Sequence, residues 1–140
     1  MNIDKIAILI KKTALEFDKI SNSILAEYEL TASQYKVLKY LYTRPSGAAR
    51  VVDLEKHYSM THPTTLGLVD TIERKGFVTR VPNPNDARGK LVALTDKAYA
   101  KQDTLLKVGD AIEEKLTANL STKEKNQLVA LLQKLLRSSD

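Results

Sequence analysis

The 140-residue sequence carries 22 Lys and Arg against 17 Asp and Glu, a formal charge of +5, with 43% hydrophobic and 28% charged residues. That length suits one domain, and the apolar share is enough to build a core, which excludes an intrinsically disordered chain. Cysteine is absent, which excludes disulfides, thiolate metal sites, iron–sulfur clusters and cysteine nucleophiles.

The first elements follow from apolar spacing. Ile3, Ile6, Ala7, Ile10, Ala14, Phe17, Ile20 and Ile24 step by three and four, which predicts one long amphipathic helix over residues 2–27. The apolar run Ile6 to Ile10 ends at Lys11 and Lys12, too short for a signal-peptide core or a membrane span, so the chain reads as cytoplasmic. Thr31 with Gln34 makes a capping box for a second helix, with Tyr35, Leu38, Leu41 and Tyr42 behind it and an end near Thr43. The turn Arg44-Pro45-Ser46-Gly47 leads to a short third helix with Val51, Leu54 and Tyr58 on one side. Thr61 caps a fourth, Pro63 sits in its first turn, Leu68, Val69 and Ile72 face inward, and Gly76 ends it. Phe77 to Val81 and Leu91 to Leu94 favour strands, and the stretch Pro82 to Lys90 between them reads as a long polar loop. Thr95 caps a long helix expected to run to about Asn119. Ser121 and Glu124 then form a second capping box, before a last helix bearing Leu128, Leu131, Leu132, Leu135 and Leu136.

Three short helices followed by a hairpin is the winged variant of the helix-turn-helix, whose last helix before the hairpin enters a DNA major groove. The expected class is therefore mainly α with a small β-hairpin wing. The candidate reading helix, residues 62 to 75, offers His62, Pro63, Thr64 and Thr65 in its first turn and Arg74 in its last. Such groups suit base edges or phosphates, yet Thr and His at a helix start also serve as plain capping residues. Arg80, Arg88 and Lys90 surround the wing loop, where basic groups reach phosphates or a narrow minor groove. The plainer reading is a solvated basic loop. Asp86, two residues before Arg88, favours the former, since a carboxylate there can orient a guanidinium.

With those residues in place, the sequence resembles the MarR family of bacterial winged helix-turn-helix transcription regulators. The matching elements are Leu30-Thr31-x-x-Gln34, then Val69-Asp70-x-Ile72-Glu73-x-x-Gly76-Phe77-Val78-x-Arg80, then Asp86-x-Arg88 leading to Leu94-Thr95. The resemblance implies a homodimer built from residues 1–29 and 96–140, with residues 30–95 binding DNA. It further implies a pseudo-palindromic operator, Arg88 of each wing in a minor groove with Asp86 paired to it, and repression as the usual outcome. Two departures stand out: Gly67 replaces a larger polar or basic recognition residue, and Ala98 replaces a glycine.

For dimerisation the expected residues are Ile3, Ile6, Ile10, Phe17, Leu128, Leu132 and Leu135. These stripes can also cover one monomer's core, but the length of the first helix favours packing between chains. The resemblance also implies a small, often aromatic or phenolic, ligand, which many members of the family bind between the dimer layer and the winged region with a loss of DNA affinity. Phe17, Tyr28, Tyr35 and Tyr42 are the candidates to line such a cleft, against the plainer reading of boundary core residues with hydroxyls at the surface. No cofactor or metal is expected, because His57 and His62 are the only histidines and form no ligand pair. No nucleophile motif, P-loop or dinucleotide-binding motif appears, so an enzyme is not expected. The competing reading is a winged-helix module that docks proteins without DNA specificity, because fold alone does not fix function.

Overall fold

The computed structural model describes residues 5–137. Helix α1 (Ile6–Leu25) runs into a 3-10 turn (Ala26–Tyr28) that stops at Glu29, whose φ of 59° places it in the left-handed region. Ile3 lies outside the described residues. The capping box then acts as expected: the Thr31 hydroxyl accepts the Gln34 N–H at 3.2 Å and Gln34 Oε1 accepts the Thr31 N–H at 3.1 Å. Helix α2 (Ala32–Thr43) starts directly after it and buries Tyr35, Val37, Leu38 and Leu41.

After the turn at Gly47 (φ 64°) comes a two-residue strand, β1 (Ala48–Ala49), then α3 (Val51–Tyr58) and α4 (His62–Arg74). Two alanines carry no strand signature of their own, so β1 exists only through its pairing of Ala48 and Ala49 with Ala93 and Val92. Gly76, at φ 86°, ends α4, and the Phe77 N–H closes back onto the Ile72 carbonyl at 3.0 Å.

The hairpin differs from the sequence expectation. Its strands are β2 (Val78–Asn83) and β3 (Asp86–Leu94), so the stretch expected as a long loop is mostly strand, closed by Pro84 and Asn85. The sheet order is β1-β3-β2, which makes β2 an edge strand, the place in a sheet where Pro82 is tolerated. Pro82 pairs with Lys90 but Asn83 pairs with Asp86, so Ala87, Arg88 and Gly89 bulge from the ladder.

A second difference follows the wing. In place of one helix to about Asn119 there are two, α5 (Asp96–Ala100) and α6 (Gln102–Leu116), broken at Lys101. The Ala98 carbonyl accepts the Lys101 N–H at 3.2 Å and the Tyr42 hydroxyl at 2.5 Å. A side chain inserted into the hydrogen-bond ladder is a recognised cause of a helix break. Ser121 and Glu124 then cap α7 (Thr122–Arg137) as expected.

One core joins these elements, with Leu25 of α1, Leu38 and Leu41 of α2, Leu54 of α3, Val69 and Ile72 of α4, Val92 of β3 and Leu105 of α6 almost wholly enclosed. The ends behave otherwise. Helix α1 buries only Ile20, Ser21 and Leu25, and α7 buries nothing. Ile6, Ile10 and Phe17 are exposed, as are Leu128, Leu132 and Leu135.

Candidate nucleic-acid interface

Helix α4 is set by its own sequence. The Thr61 side chain accepts the Thr64 N–H at 3.3 Å, and Pro63 occupies a first-turn position where its missing N–H has no intrahelical acceptor. Thr65, Val69 and Ile72, spaced by four and three, form the buried face, while Pro63, Gly67, Asp70 and Arg74 share the exposed one.

That phase corrects one expected contact. Thr65 is fully buried, its hydroxyl donating to the Thr61 carbonyl at 2.8 Å, so it supports the helix from behind and does not face solvent. The i, i+4, i+7 spacing with Val69 and Ile72 was the signal that places it inside. Pro63, Thr64 and Arg74 are exposed as expected. His62 is exposed too, with Nδ1 2.5 Å from Oε1 of Glu55, a residue of α3 whose side chain is only 16% exposed. That contact fixes the imidazole relative to the preceding helix.

On the wing, Arg80 is tied to α4. Its guanidinium meets Asp70 at 2.5 Å and lies 3.9 Å from Glu73, so it braces the hairpin against the helix. Arg88 and Lys90 are exposed, Arg88 within the bulge. The Asp86 carboxylate is placed differently from the expected guanidinium pairing: it accepts the Arg88 backbone N–H at 3.0 Å. It therefore fixes the shape of the tip through the main chain, the local side-chain to backbone bond that Asp favours in turns.

Further charged residues complete the frame. Lys75 Nζ donates to the Glu29 carbonyl and to Gln34 Oε1 at 2.9 Å, fastening the end of α4 to the α1–α2 elbow. Lys97 Nζ donates to the Lys75 carbonyl at 2.5 Å and lies 4.8 Å from the Phe77 ring centroid. Arg50, at the start of α3, makes a two-pronged pair with Asp53 whose hydrogen bonds hold that carboxyl below its ordinary pKa.

The four aromatic candidates do not share one cleft. Phe17 and Tyr35 line a depression of about 320 Å³ among α1, α2 and α6, together with Ser21, Lys36, Lys39 and Tyr58. Tyr28 lines another, of about 240 Å³, with Lys75, Phe77, Lys97 and Lys101. Tyr42 instead donates to the Ala98 carbonyl at 2.5 Å, and burial pushes its pKa up to about 12.

A capped, solvent-facing helix braced to a basic β-wing defines a winged helix-turn-helix DNA-binding regulator. Comparison with known proteins agrees. The MarR family profile matches residues 30–90. The multiple antibiotic resistance protein MarR of Salmonella typhimurium is 36% identical over 120 residues, which is 85% of this chain and 82% of that protein. A mutant MarR from E. coli solved with operator DNA superposes with a TM-score of 0.83 at 34% identity, covering 91% of each chain. MepR of S. aureus, also solved with DNA, gives 0.85 at 27% identity, covering 96% of this chain and 98% of that one. The chain belongs to the MarR family of winged-helix transcriptional regulators.

Proposed function

We propose that this regulator binds a pseudo-palindromic operator as a homodimer in the cytoplasm and acts as a repressor, with α4 in the major groove and Arg88 of each wing in the flanking minor groove. The observation that carries the reading is the wing: an exposed Arg88 sits on a bulge whose main chain Asp86 clamps, and Arg80 braces that hairpin to α4 through Asp70. In this reading His62, Pro63, Thr64 and Arg74 meet base edges or phosphates, and Lys90 a phosphate. The operator-bound MarR from E. coli supports the same use of the fold.

The dimer reading draws support from the uncovered apolar surface. Ile6, Ile10, Phe17, Leu128, Leu132 and Leu135 line an open groove of about 750 Å³ between α1 and α7. Groups of this size rarely stay in water on a lone chain. A two-fold partner that covered them would also place two wings on one operator. The depression beside Phe17 and Tyr35 is the place for a small aromatic or phenolic ligand, whose binding lowers DNA affinity in this reading.

The test is selection of bound duplexes from a random pool at about 150 mM salt. The expected result is an inverted repeat with half-sites about ten base pairs apart. Arg88→Ala should then weaken binding to the selected duplex about tenfold or more, and Asp86→Ala should weaken it less. Equal binding by wild type and Arg88→Ala would remove the wing from the mechanism, and no enrichment at all would favour a protein-docking module.

A further inference from the structure

Gly67 is a residue whose identity the fold does not explain. It sits in the interior of α4, a helix of 13 residues, on the exposed face opposite Thr65, Val69 and Ile72. Its backbone is helical, unlike Gly47 and Gly76, whose positive φ demands glycine. A Cβ built at Gly67 meets nothing within 4 Å. Alanine would therefore fit without strain, and it would favour the helix, because glycine is among the poorest residues for a helix interior. What remains as a reason for glycine here is room outside the helix, for something that must come close to its backbone.

The surroundings say what kind of group that is. Gly67 lies four residues after Pro63 and four before Thr71, with Thr64 beside them on the adjoining row. The nearby hydroxyls are engaged: Thr64 Oγ1 is 2.9 Å from Thr61 Oγ1, and Thr71 Oγ1 donates to the Gly67 carbonyl at 2.5 Å. Asp70, three residues on along the same exposed face, is held by the Arg80 guanidinium at 2.5 Å, which leaves the Pro63 ring and the bare Gly67 α-carbon as the apolar surface beside the missing side chain. In a major groove the thymine C5-methyl is the apolar group on display among hydrogen-bonding edges.

We propose that Gly67 is a specificity-determining residue: its bare α-carbon lets the recognition helix approach closely enough to seat the methyl group of one thymine in each half-site. Selectivity at that position comes from the helix surface itself, with no long side chain reaching to the base. The inference rests on α4 being the helix that enters the major groove.

The test uses the full chain and the duplexes it selects from a random pool, in which each thymine is replaced in turn by uracil, a change that deletes only the methyl. At one position per half-site the wild-type affinity should fall about fourfold, the worth of one buried methyl. Gly67→Ala should bind the thymine duplex about tenfold more weakly and should not distinguish thymine from uracil at that position. The same variant should melt about 3 °C higher, which separates weaker binding from a damaged fold. Gly67→Ala binding as tightly as wild type, or a wild-type chain indifferent to uracil at every position, overturns the proposal. A wild-type chain that enriches no duplex is a different failure, overturning the DNA reading and this inference with it.

Discussion

Tyr42 shows how one hydroxyl can act on both helix geometry and pH response. It donates to the Ala98 carbonyl at 2.5 Å, and burial, reinforced by Tyr35 and Tyr99, raises its pKa to about 12. In the unfolded chain the same group ionises near pH 10. Its contribution to stability is therefore complete below about pH 10 and is lost as pH rises through about 12. Tyr42→Phe should cost about 1 kcal/mol at neutral pH, and urea unfolding at rising pH should show the gap between wild type and variant closing across that alkaline window. A second expectation at this scale concerns Gly47. Its φ is 64°, and a Cβ there would stand 1.9 Å from the Tyr99 hydroxyl oxygen, so Gly47→Ala should destabilise the chain by about 1 kcal/mol or more, read as a lower Tm. Neither contact is legible in sequence, because Tyr42 and Ala98 are 56 residues apart. The roles of Arg80 and Asp86 were half legible: the residue types pointed to a wing, but their partners proved to be the Asp70 carboxylate and a backbone N–H.

At the scale of elements, capping chemistry was the most readable signal, because a cap and its partner lie three residues apart. Thr31, Thr61, Thr95 and Ser121 each open a helix where expected. They should not be equal in worth. The Thr61 side chain accepts the Thr64 N–H and lies near the Thr64 hydroxyl on an exposed turn. Thr95 accepts the Ala98 N–H and also donates to the Gly76 carbonyl at 2.6 Å, stitching α5 to the end of α4. Thr61→Ala should cost about 1 kcal/mol and Thr95→Ala about 2, as measured by chemical denaturation. The hairpin was less readable. Pro82, Asn83, Pro84, Asn85 and Gly89 all argue locally for a loop, and only pairing with a neighbouring strand makes most of that stretch ladder.

For the whole molecule, the uncovered stripes of α1 and α7 decide what can be tested. Ile10→Asp combined with Leu132→Asp changes residues that are already exposed in the chain, 44% and 39%, so its fold should survive. In the homodimer reading the double variant should sediment as a single chain and bind the selected operator about a hundredfold more weakly, because the two half-sites no longer act together. Retention of a dimer would redirect the interface elsewhere. Charge supplies a further check. If Arg74 and Lys90 of two chains each neutralise a phosphate, log affinity should fall against log salt with a slope of about −4. A flat plot would count against those contacts.

Sequence by itself determined the capped helix starts after Thr31, Thr61, Thr95 and Ser121, the helix-to-wing order, the amphipathic ends and the family, because each depends on residues close together in the chain or on a motif of fixed spacing. Only the tertiary structure decided that Arg80 braces the wing to α4 and that α5 and α6 are separate helices. It also decided that the four aromatic candidates scatter to different surroundings. These outcomes depend on groups brought together by folding, and a hydrogen bond or ion pair between distant residues leaves no periodicity to read. Gly67 stands between the two: its identity is plain in the sequence, but that nothing in the fold requires it becomes visible only when the space around it is known.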